Sequence, residues 1–337
     1  METIGITGAN GLVGSYFVRY LLSAGYSIRA LKRKTSDLSL LADVKDKVDW
    51  IEGDILDVFS LEETFSGCDL VLHTAALVSY DSRDRDRIFQ TNIEGTANVV
   101  NTCLNLNINR LLYISSIAAI GRKSDSKEWV KETNSWDTNK GLSDYSISKH
   151  EAELEVWRGM TEGLEVIIVN PSIILGAGFW SAGSSRLFTT VSKKFPFYTS
   201  GSTGFVDVRD VVTATMKLHE KNIINERFIL NSGNYAYKYI FDLIAKGFGV
   251  KGPTIKAGKT LSSFAWRAGA IQKLLTGKTP SVTKATAKIA QKNLQFSNEK
   301  ITSRLEFKFL PIEKTIAETT ESFKTYQKTG NTPPLNF

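Results

Sequence analysis

Cysteine, histidine and proline are scarce in this chain of 337 residues, which holds two, three and seven of them. Two cysteines, Cys68 and Cys103, are too few for a disulfide framework or a cysteine-rich zinc site. His150 and His219 have no partners at metal-ligand spacing, so no metal site is expected. No apolar run approaches the ~18–20 residues that cross a bilayer. The opening Met-Glu-Thr-Ile-Gly-Ile-Thr-Gly lacks the basic start and apolar stretch of a secretory leader, and a cytoplasmic protein with reduced thiols is the expectation. Internal repeats and low-complexity tracts are absent too. What remains is 42% hydrophobic and 23% charged, a globular composition long enough for about two domains.

Acidic residues are thin at one end only. Residues 1–250 carry 27 Lys and Arg against 30 Asp and Glu, whereas residues 251–337 carry 15 against 5, within a total net charge of +7. A basic domain can face nucleic acid, anionic lipid or an anionic substrate. Here the basic residues are spread among helical-looking segments with no DNA-binding pattern. A solvated basic surface is the reading, and no nucleic-acid partner is expected.

The first 170 residues alternate short β-branched runs with helix-period segments. Candidate strands are Thr3–Thr7, Ser27–Leu31, Val48–Glu52, Leu70–His73, Leu111–Ser115 and Val166–Asn170. Candidate helices are Leu12–Ala24, Leu61–Phe65, Arg87–Leu106 and Asp144–Met160. Apolar strands without alternation imply a parallel sheet covered on both faces, so the fold class is α/β: a doubly wound, parallel-sheet Rossmann domain with a smaller, mostly helical C-terminal substrate domain. Beyond Pro171, Gly176–Gly204 reads as a loop with one short helix. Val206–Glu220 reads as a helix, Arg227–Leu230 as a strand that could rejoin the sheet, and the chain from Tyr235 as almost all helix. Domain boundaries follow: 1–175 with about 205–233 for the cofactor, and about 176–204 with 234–337 for the substrate. Leu261, Phe264, Ala265, Ala268, Ile271, Gln272 and Leu275 share one helical face between Lys259 and Lys278. Phe264 and Trp266 there could touch a membrane surface, roof a pocket or pack in the second domain.

Thr7-Gly8-Ala9-Asn10-Gly11-Leu12-Val13-Gly14 follows the first strand and opens the first helix. Its glycines allow a tight turn and close backbone approach, and the helix N-terminus offers free amides to a pyrophosphate. The second strand ends Leu31-Lys32-Arg33-Lys34 with no acid before Asp37. An acid there accepts the ribose hydroxyls of NAD, whereas an arginine fork suits the 2′-phosphate of NADP. Arg33, assisted by Lys32 or Lys34, therefore favours NADP over NAD.

Tyr145 and Lys149 sit four apart, on one face of the helix after the strand that ends at Ser115-Ser116. A Tyr-x-x-x-Lys match is expected about once by chance in such a composition, so its position carries the weight. A tyrosine of pKa ~10 needs roughly 4 kcal/mol to titrate near neutrality, and an ammonium at about 4 Å supplies a term of that size. Tyr145 is then an acid–base group for a carbonyl or alcohol, and Ser116 a hydrogen-bond partner for the same oxygen.

The Thr-Gly-x-x-Gly-x-x-Gly spacing resembles the extended short-chain dehydrogenase/reductase family, also described as the NAD(P)-dependent epimerase/dehydratase family. Further motifs follow in order over about residues 1–215: Gly53-Asp54-Ile55, His73-Thr74-Ala75-Ala76, Asn92-Ile93-Glu94-Gly95-Thr96, Tyr113-Ile114-Ser115-Ser116, Tyr145-Ser146-Ile147-Ser148-Lys149 and Asn170-Pro171-Ser172. The overall pattern is similar to the dihydroflavonol 4-reductase and 3β-hydroxysteroid dehydrogenase members. The resemblance implies that the cofactor meets Gly8, Asn10, Gly11, Leu12, Val13, Gly14, Asp54, Ile55, His73, Ala75, Ala76, Tyr145, Lys149, Pro171 and Ser172, with Asp54 at the adenine and Lys149 on the nicotinamide ribose. Asn92 supports the catalytic group of Ser116, Tyr145 and Lys149. Ser116 is preferred to Ser115 because it matches the family's Ser/Thr five residues before Gly121.

Two departures narrow the activity. Ile117–Gly121 lacks the tyrosine that many sugar-nucleotide epimerases carry before the glycine, and no acid pair of the dehydratase kind follows Ser116. Tyr80, Ser116, Trp180 and Ser184, with Phe188, are candidates for the substrate side; Trp180, on a Gly/Ser-rich loop, is as well suited to a small satellite core. Asp207 suits a helix cap, and Arg209 either faces an anionic substrate or pairs with an acid. The expectation is an NADP-dependent reductase of a ketone or aldehyde. The alternatives are a nucleotide-sugar epimerase with bound NAD(P) and a non-catalytic NADP-sensing protein. The family's usual dimer face, on the Arg87–Leu106 and Tyr145 helices, implies a possible homodimer.

Overall fold

The computed structural model describes residues 2–121, 128–136, 142–258 and 284–337. Seven strands form one parallel sheet: β1 (Thr3–Thr7), β2 (Ser27–Lys32), β3 (Asp49–Glu52), β4 (Leu70–His73), β5 (Arg110–Ile114), β6 (Glu165–Pro171) and, after three strands outside it, β10 (Glu226–Leu230). Their order is β10-β6-β5-β4-β1-β2-β3, reversing direction between β1 and β4. The inner strands are buried on both faces, as the unbroken apolar runs Ile4–Ile6, Leu70–Leu72 and Val166–Val169 require.

Helices cover the two faces. On one lie α1 (Leu12–Ser23) and α7 (Val208–Glu220), in a core with Phe17, Leu21, Val212 and Met216. On the other lie α2 (Val58–Phe65), α4 (Gly95–Asn105) and α5 (Asp144–Thr161), in a core with Phe65, Val99, Val156 and Ile168. Ser143 caps α5, its hydroxyl accepting from the Ser146 amide.

The remaining described chain makes a smaller layer. A three-stranded sheet joins β7 (Ile173–Leu175), β9 (Ser202–Asp207) and β11 (Gly233–Ala236), and β8 (Phe197–Tyr198) pairs with β12 (Ile255–Lys256). Around them pack α6 (Arg186–Ser192), α8 (Tyr237–Phe248) and the helix Ile312–Thr329, which buries Ile312, Ile316 and Phe323. The last residues return to α1: the Leu335 amide donates to the buried Tyr16 hydroxyl at 2.9 Å, and Arg209 donates to the Asn336 carbonyl at 2.7 Å. The Phe337 ring lies edge-on to Tyr16 and Tyr20.

Four sequence expectations need correcting. Val206 and Asp207 end strand β9 rather than opening a helix; the Phe205-Val206-Asp207-Val208 stretch suits either state, and Asp207 starts the helix only at Val208 by accepting from the Arg209 amide. The Arg87–Leu106 helix is divided into α3 (Arg85–Phe89), a π turn at Gln90–Glu94, and α4. At that turn the Asn92 side chain is engaged by Leu77, and the Asn92 carbonyl takes the Thr96 hydroxyl at 2.6 Å. Residues from Tyr235 are not all helical, since Tyr235 and Ala236 close β11. The Gly176–Gly204 stretch contains β8 and the start of β9 as well as α6. The amphipathic stripe Leu261–Leu275, with Lys259, Lys278, Phe264 and Trp266, lies outside the described residues.

Candidate active site

The carboxyl ends of β1, β4, β5 and β6 converge where the strand order reverses, the place such sheets offer to ligands. At the end of β1, Gly8 turns with φ +74°, and a Cβ there would stand 2.6 Å from the Ala75 amide nitrogen. A Cβ on Gly14 would stand 2.1 Å from the Gly8 carbonyl oxygen, so the first turn of α1 presses against the loop. Gly11 is the N-cap and makes no side-chain cap, which leaves the opening amides at Leu12, Val13 and Gly14 facing outward with the positive end of the helix dipole. This bare backbone cradle fits a pyrophosphate.

Asn10 reaches the Asp37 carbonyl at 3.4 Å and ties the cradle to the turn after β2. Arg33 and Lys34 in that turn are exposed, whereas Lys32 pairs with Glu52 at 3.7 Å. Asp54 accepts from the Leu56 amide at 3.1 Å, Ile55 packs against Gly95, and Ala75 and Ala76 continue from β4 beside Gly8.

Helix α5 turns an unusual face inward. Tyr145, Ser148, Lys149, Ala152, Glu153 and Val156 are all buried. The Ser116 side chain hydrogen-bonds Tyr145, which favours its phenolate form. Burial first, and then Tyr80, outweigh that bond and push the Tyr145 pKa well above the ordinary value. Tyr80 stands edge-on to Tyr145, ring centres 5.5 Å apart. Burial pushes the Lys149 pKa down to about 7, with Glu153 acting in the opposite sense. The Lys149 ammonium does not turn to Tyr145: it donates to the Tyr113 hydroxyl at 2.7 Å and the Ile114 carbonyl at 3.1 Å. In the chain by itself, then, the Lys149 ammonium is engaged by β5 rather than by the Tyr145 hydroxyl. As the chain stands, Tyr145 holds its proton.

Asn92 is wholly engaged. Its Oδ1 accepts from the Leu77 amide at 2.7 Å, and its Nδ2 donates to the Leu77 carbonyl and to Ser148, whose hydroxyl donates to the Tyr145 carbonyl at 2.9 Å. Asn92 thus ties the chain after β4 to the helix of Tyr145, without a polar atom left over for a ligand. Ser115 and Ser116 have separate tasks. Ser115 donates to Glu153 at 2.6 Å, whereas Ser116 caps the next turn and meets Tyr145.

Several expected contacts land elsewhere. His73 is sealed inside, its Nδ1 2.6 Å from the Thr7 hydroxyl and its Nε2 3.0 Å from Thr96, and burial lowers its pKa to about 3. It joins β1, β4 and α4 from within. Ser172 is buried against the Leu230 carbonyl, beside Pro171 at the end of β6. Trp180 is enclosed by Phe188, Phe323 and Tyr326, and its indole N–H donates to Thr332 at 2.9 Å. With Phe188 it belongs to the large core that α1 and α7 share, because the helix Ile312–Thr329 supplies an apolar wall that no local pattern around Trp180 announces. The Ser184 hydroxyl donates to the Ile174 carbonyl. Arg209 pairs with Asp207 and Glu318, both at 2.7 Å, and so is engaged by acids of its own chain. Among the described residues no cluster of metal ligands occurs and no helix is long and apolar enough to cross a membrane.

Two buried groups escaped sequence reading. Glu153 accepts from Ser115, from Asn170 at 2.7 Å and from Arg227 at 2.9 Å. Tyr113 carries Lys149. The signal for Glu153 was present as a third polar residue at the same helical step, Tyr145–Lys149–Glu153; Tyr113 had none beyond its place at a strand end.

A family model described as "NAD dependent epimerase/dehydratase family" matches residues 4–231. The chain is 28% identical over 333 residues to a putative dihydroflavonol 4-reductase of Synechocystis, covering 95% of this chain and 94% of that one. It is 26% identical over 348 residues to cinnamoyl-CoA reductase 1 of Petunia hybrida, covering 98% and 94%. Among solved structures, UDP-glucose 4-epimerase of Thermotoga maritima shares the fold with a TM-score of 0.78 at 20% identity, covering 97% of this chain and 100% of that one.

Proposed function

Because the chain belongs to the NAD dependent epimerase/dehydratase family, a nicotinamide dinucleotide stands at the centre of its chemistry, and we propose that it is an NADP-dependent oxidoreductase reducing a ketone or aldehyde, or oxidising the matching alcohol. The observation that carries this reading is the pairing of Ser116 with Tyr145 at the carboxyl end of the sheet, beside the bare cradle of Gly8–Gly14. A dinucleotide held at the cradle of Gly8–Gly14 would supply hydride chemistry to the site.

The chain's own residues handle the oxygen. Tyr145 keeps its proton at neutral pH and delivers it to the carbonyl oxygen as the carbon is reduced; in the reverse direction it takes the proton from the alcohol. Ser116 donates a hydrogen bond to the same oxygen and stabilises the charge that develops there. Lys149, one turn along α5, holds the nicotinamide ribose and places a positive charge behind Tyr145, while Asn92 positions the helix through Ser148. Tyr80, edge-on to Tyr145, lines the substrate side.

The choice of NADP rests on the exposed Arg33 and Lys34, with Lys32 drawn away by Glu52. The names of the two curated relatives support carbonyl reduction over epimerisation. In this reading residues 1–175 and about 205–233 serve the cofactor, and about 176–204 with 234–337 the substrate.

The test is binding of NADPH and NADH to the purified protein, with any retained nucleotide identified, followed by turnover of aromatic aldehydes and ketones. NADPH bound at least tenfold tighter, ~1.4 kcal/mol, and activity abolished by Tyr145→Phe is the expected result. Tightly held NAD with epimerisation of a nucleotide sugar would replace this reading with an isomerase. Binding without any turnover, unchanged by Tyr145→Phe, would leave a sensing protein.

A further inference from the structure

Beneath Lys149 runs a closed set of buried polar groups from three strands and one helix. Tyr113 on β5 is about 1% exposed and His73 at the end of β4 is fully buried, their rings stacked with centres 5.4 Å apart. The direction of each hydrogen bond can be read from its ends. The Thr96 hydroxyl donates to the Asn92 carbonyl at 2.6 Å, so its oxygen is left to accept. It accepts from His73 Nε2 at 3.0 Å and is also a hydrogen-bond partner of the Tyr113 side chain. That makes the neutral imidazole the Nε2–H tautomer, with Nδ1 accepting from the Thr7 hydroxyl at 2.6 Å. The Tyr113 oxygen accepts from Lys149 Nζ at 2.7 Å.

We infer that Tyr113 is a positioning residue for the proposed reaction, a fixed acceptor that holds the Lys149 ammonium in place and keeps it charged. This rests on Lys149 serving the proposed site. The set cannot pass a proton onward, because it ends at the Asn92 carbonyl and His73 cannot be charged in its apolar setting. It works as a clamp. Hydrogen bonds to the charged form favour that form, and Lys149 is desolvated enough to need them. The titratable and charged groups around Lys149 are Tyr113 on β5, His73 on β4, and Tyr145 and Glu153 on its own helix. Among the described residues only Tyr113 touches it with an acceptor side chain. Because Thr7 adjoins Gly8 and Asn92 adjoins the Tyr145 helix through Ser148, the clamp spans from the cofactor cradle to the acid–base group.

The test follows Lys149 directly. Protein labelled with ¹³C,¹⁵N-lysine is titrated by NMR without cofactor, the Lys149 signal being assigned with Lys149→Met. Tyr113→Phe keeps the ring and removes the acceptor, and the Lys149 midpoint is expected to fall by about one pH unit, a tenfold change in the ammonium-to-amine ratio. The alkaline limb of kcat should move to lower pH by the same step. Thr96→Val, which leaves Tyr113 in place but removes the oxygen that orients its hydroxyl, should move the midpoint the same way by less, and serves if Tyr113→Phe does not fold. An unmoved midpoint in the folded variant overturns the inference. A shifted midpoint in a protein that reduces no carbonyl keeps the clamp and overturns the proposed reaction instead.

Discussion

Arg227 of β10 reaches the carboxylate of Glu153 at 2.9 Å, and the acid it meets is almost sealed from solvent. The same carboxylate holds Ser115 and Asn170, and Asn170 in turn donates to the Ser116 carbonyl at 3.0 Å. The far edge of the sheet is thereby bonded to the residue that faces Tyr145. Arg227 also donates to the Glu132 carbonyl at 2.8 Å, so the segment 128–136 is drawn into the same knot.

Glu153→Gln leaves the guanidinium beside a neutral amide. Breaking one partner of a buried pair costs about 3–5 kcal/mol, and urea unfolding should read a loss in that range. A loss below about 1 kcal/mol would mean that Arg227 and the two neutral donors are satisfied without the charge.

Asp210 predicts a pH dependence. Burial pushes its carboxyl up to about 7, against an ordinary value of 3.8, with the Leu310 amide and Arg209 only partly offsetting this and Asp207 adding to it. A folded-state pKa above the unfolded one means that the unfolded chain gives up the proton first. The stability from this group is thus complete below about pH 4 and is lost as pH rises to about 7. Asp210→Asn removes the titration, so relative to the parent it should gain stability on going from pH 5 to pH 8, by a few kcal/mol. Equal slopes of stability against pH in the two proteins would refute this.

Arg33→Ser should weaken NADPH at least tenfold, ~1.4 kcal/mol, and leave NADH within a factor of about two. Fluorescence titration with both nucleotides decides it. An equal loss for both would mean that Arg33 acts on the shared part of the dinucleotide.

Trp180→Ala separates packing from substrate contact. Removing a large aromatic from an enclosed site costs about 3–5 kcal/mol, so the melting temperature should drop while KM for the carbonyl substrate, measured well below that temperature, stays close to the parent's. A normal melting temperature with a raised KM would return Trp180 to the pocket.

Much of this was legible in residue order. The inner strands bury the apolar runs Ile4–Ile6, Leu70–Leu72 and Val166–Val169, and Gly8 and Gly14 stand where backbone contact forbids a side chain. Tyr145 and Lys149 share a face because helical geometry leaves no choice. What could not be read depends on distant partners. The hydrogen bonds of Asn92 run to residues fifteen and fifty-six positions away. Trp180 looks like a pocket residue until Phe323, far along the chain, closes over it. The Phe205–Val208 stretch suits strand and helix alike until Ile173–Leu175 pairs with Phe205–Asp207.

The return of Leu335, Asn336 and Phe337 to α1 has a consequence for biosynthesis. Tyr16, buried at the heart of the first helix, donates its hydroxyl proton to the Ala177 carbonyl at 3.4 Å and, among the described residues, accepts only from the amide of residue 335. Synthesised from the amino end, the nascent cofactor domain therefore meets the ribosome exit with one polar group unsettled and two aromatic rings uncovered. Its final consolidation must await emergence of the far end, so the first helix formed is among the last to be completed.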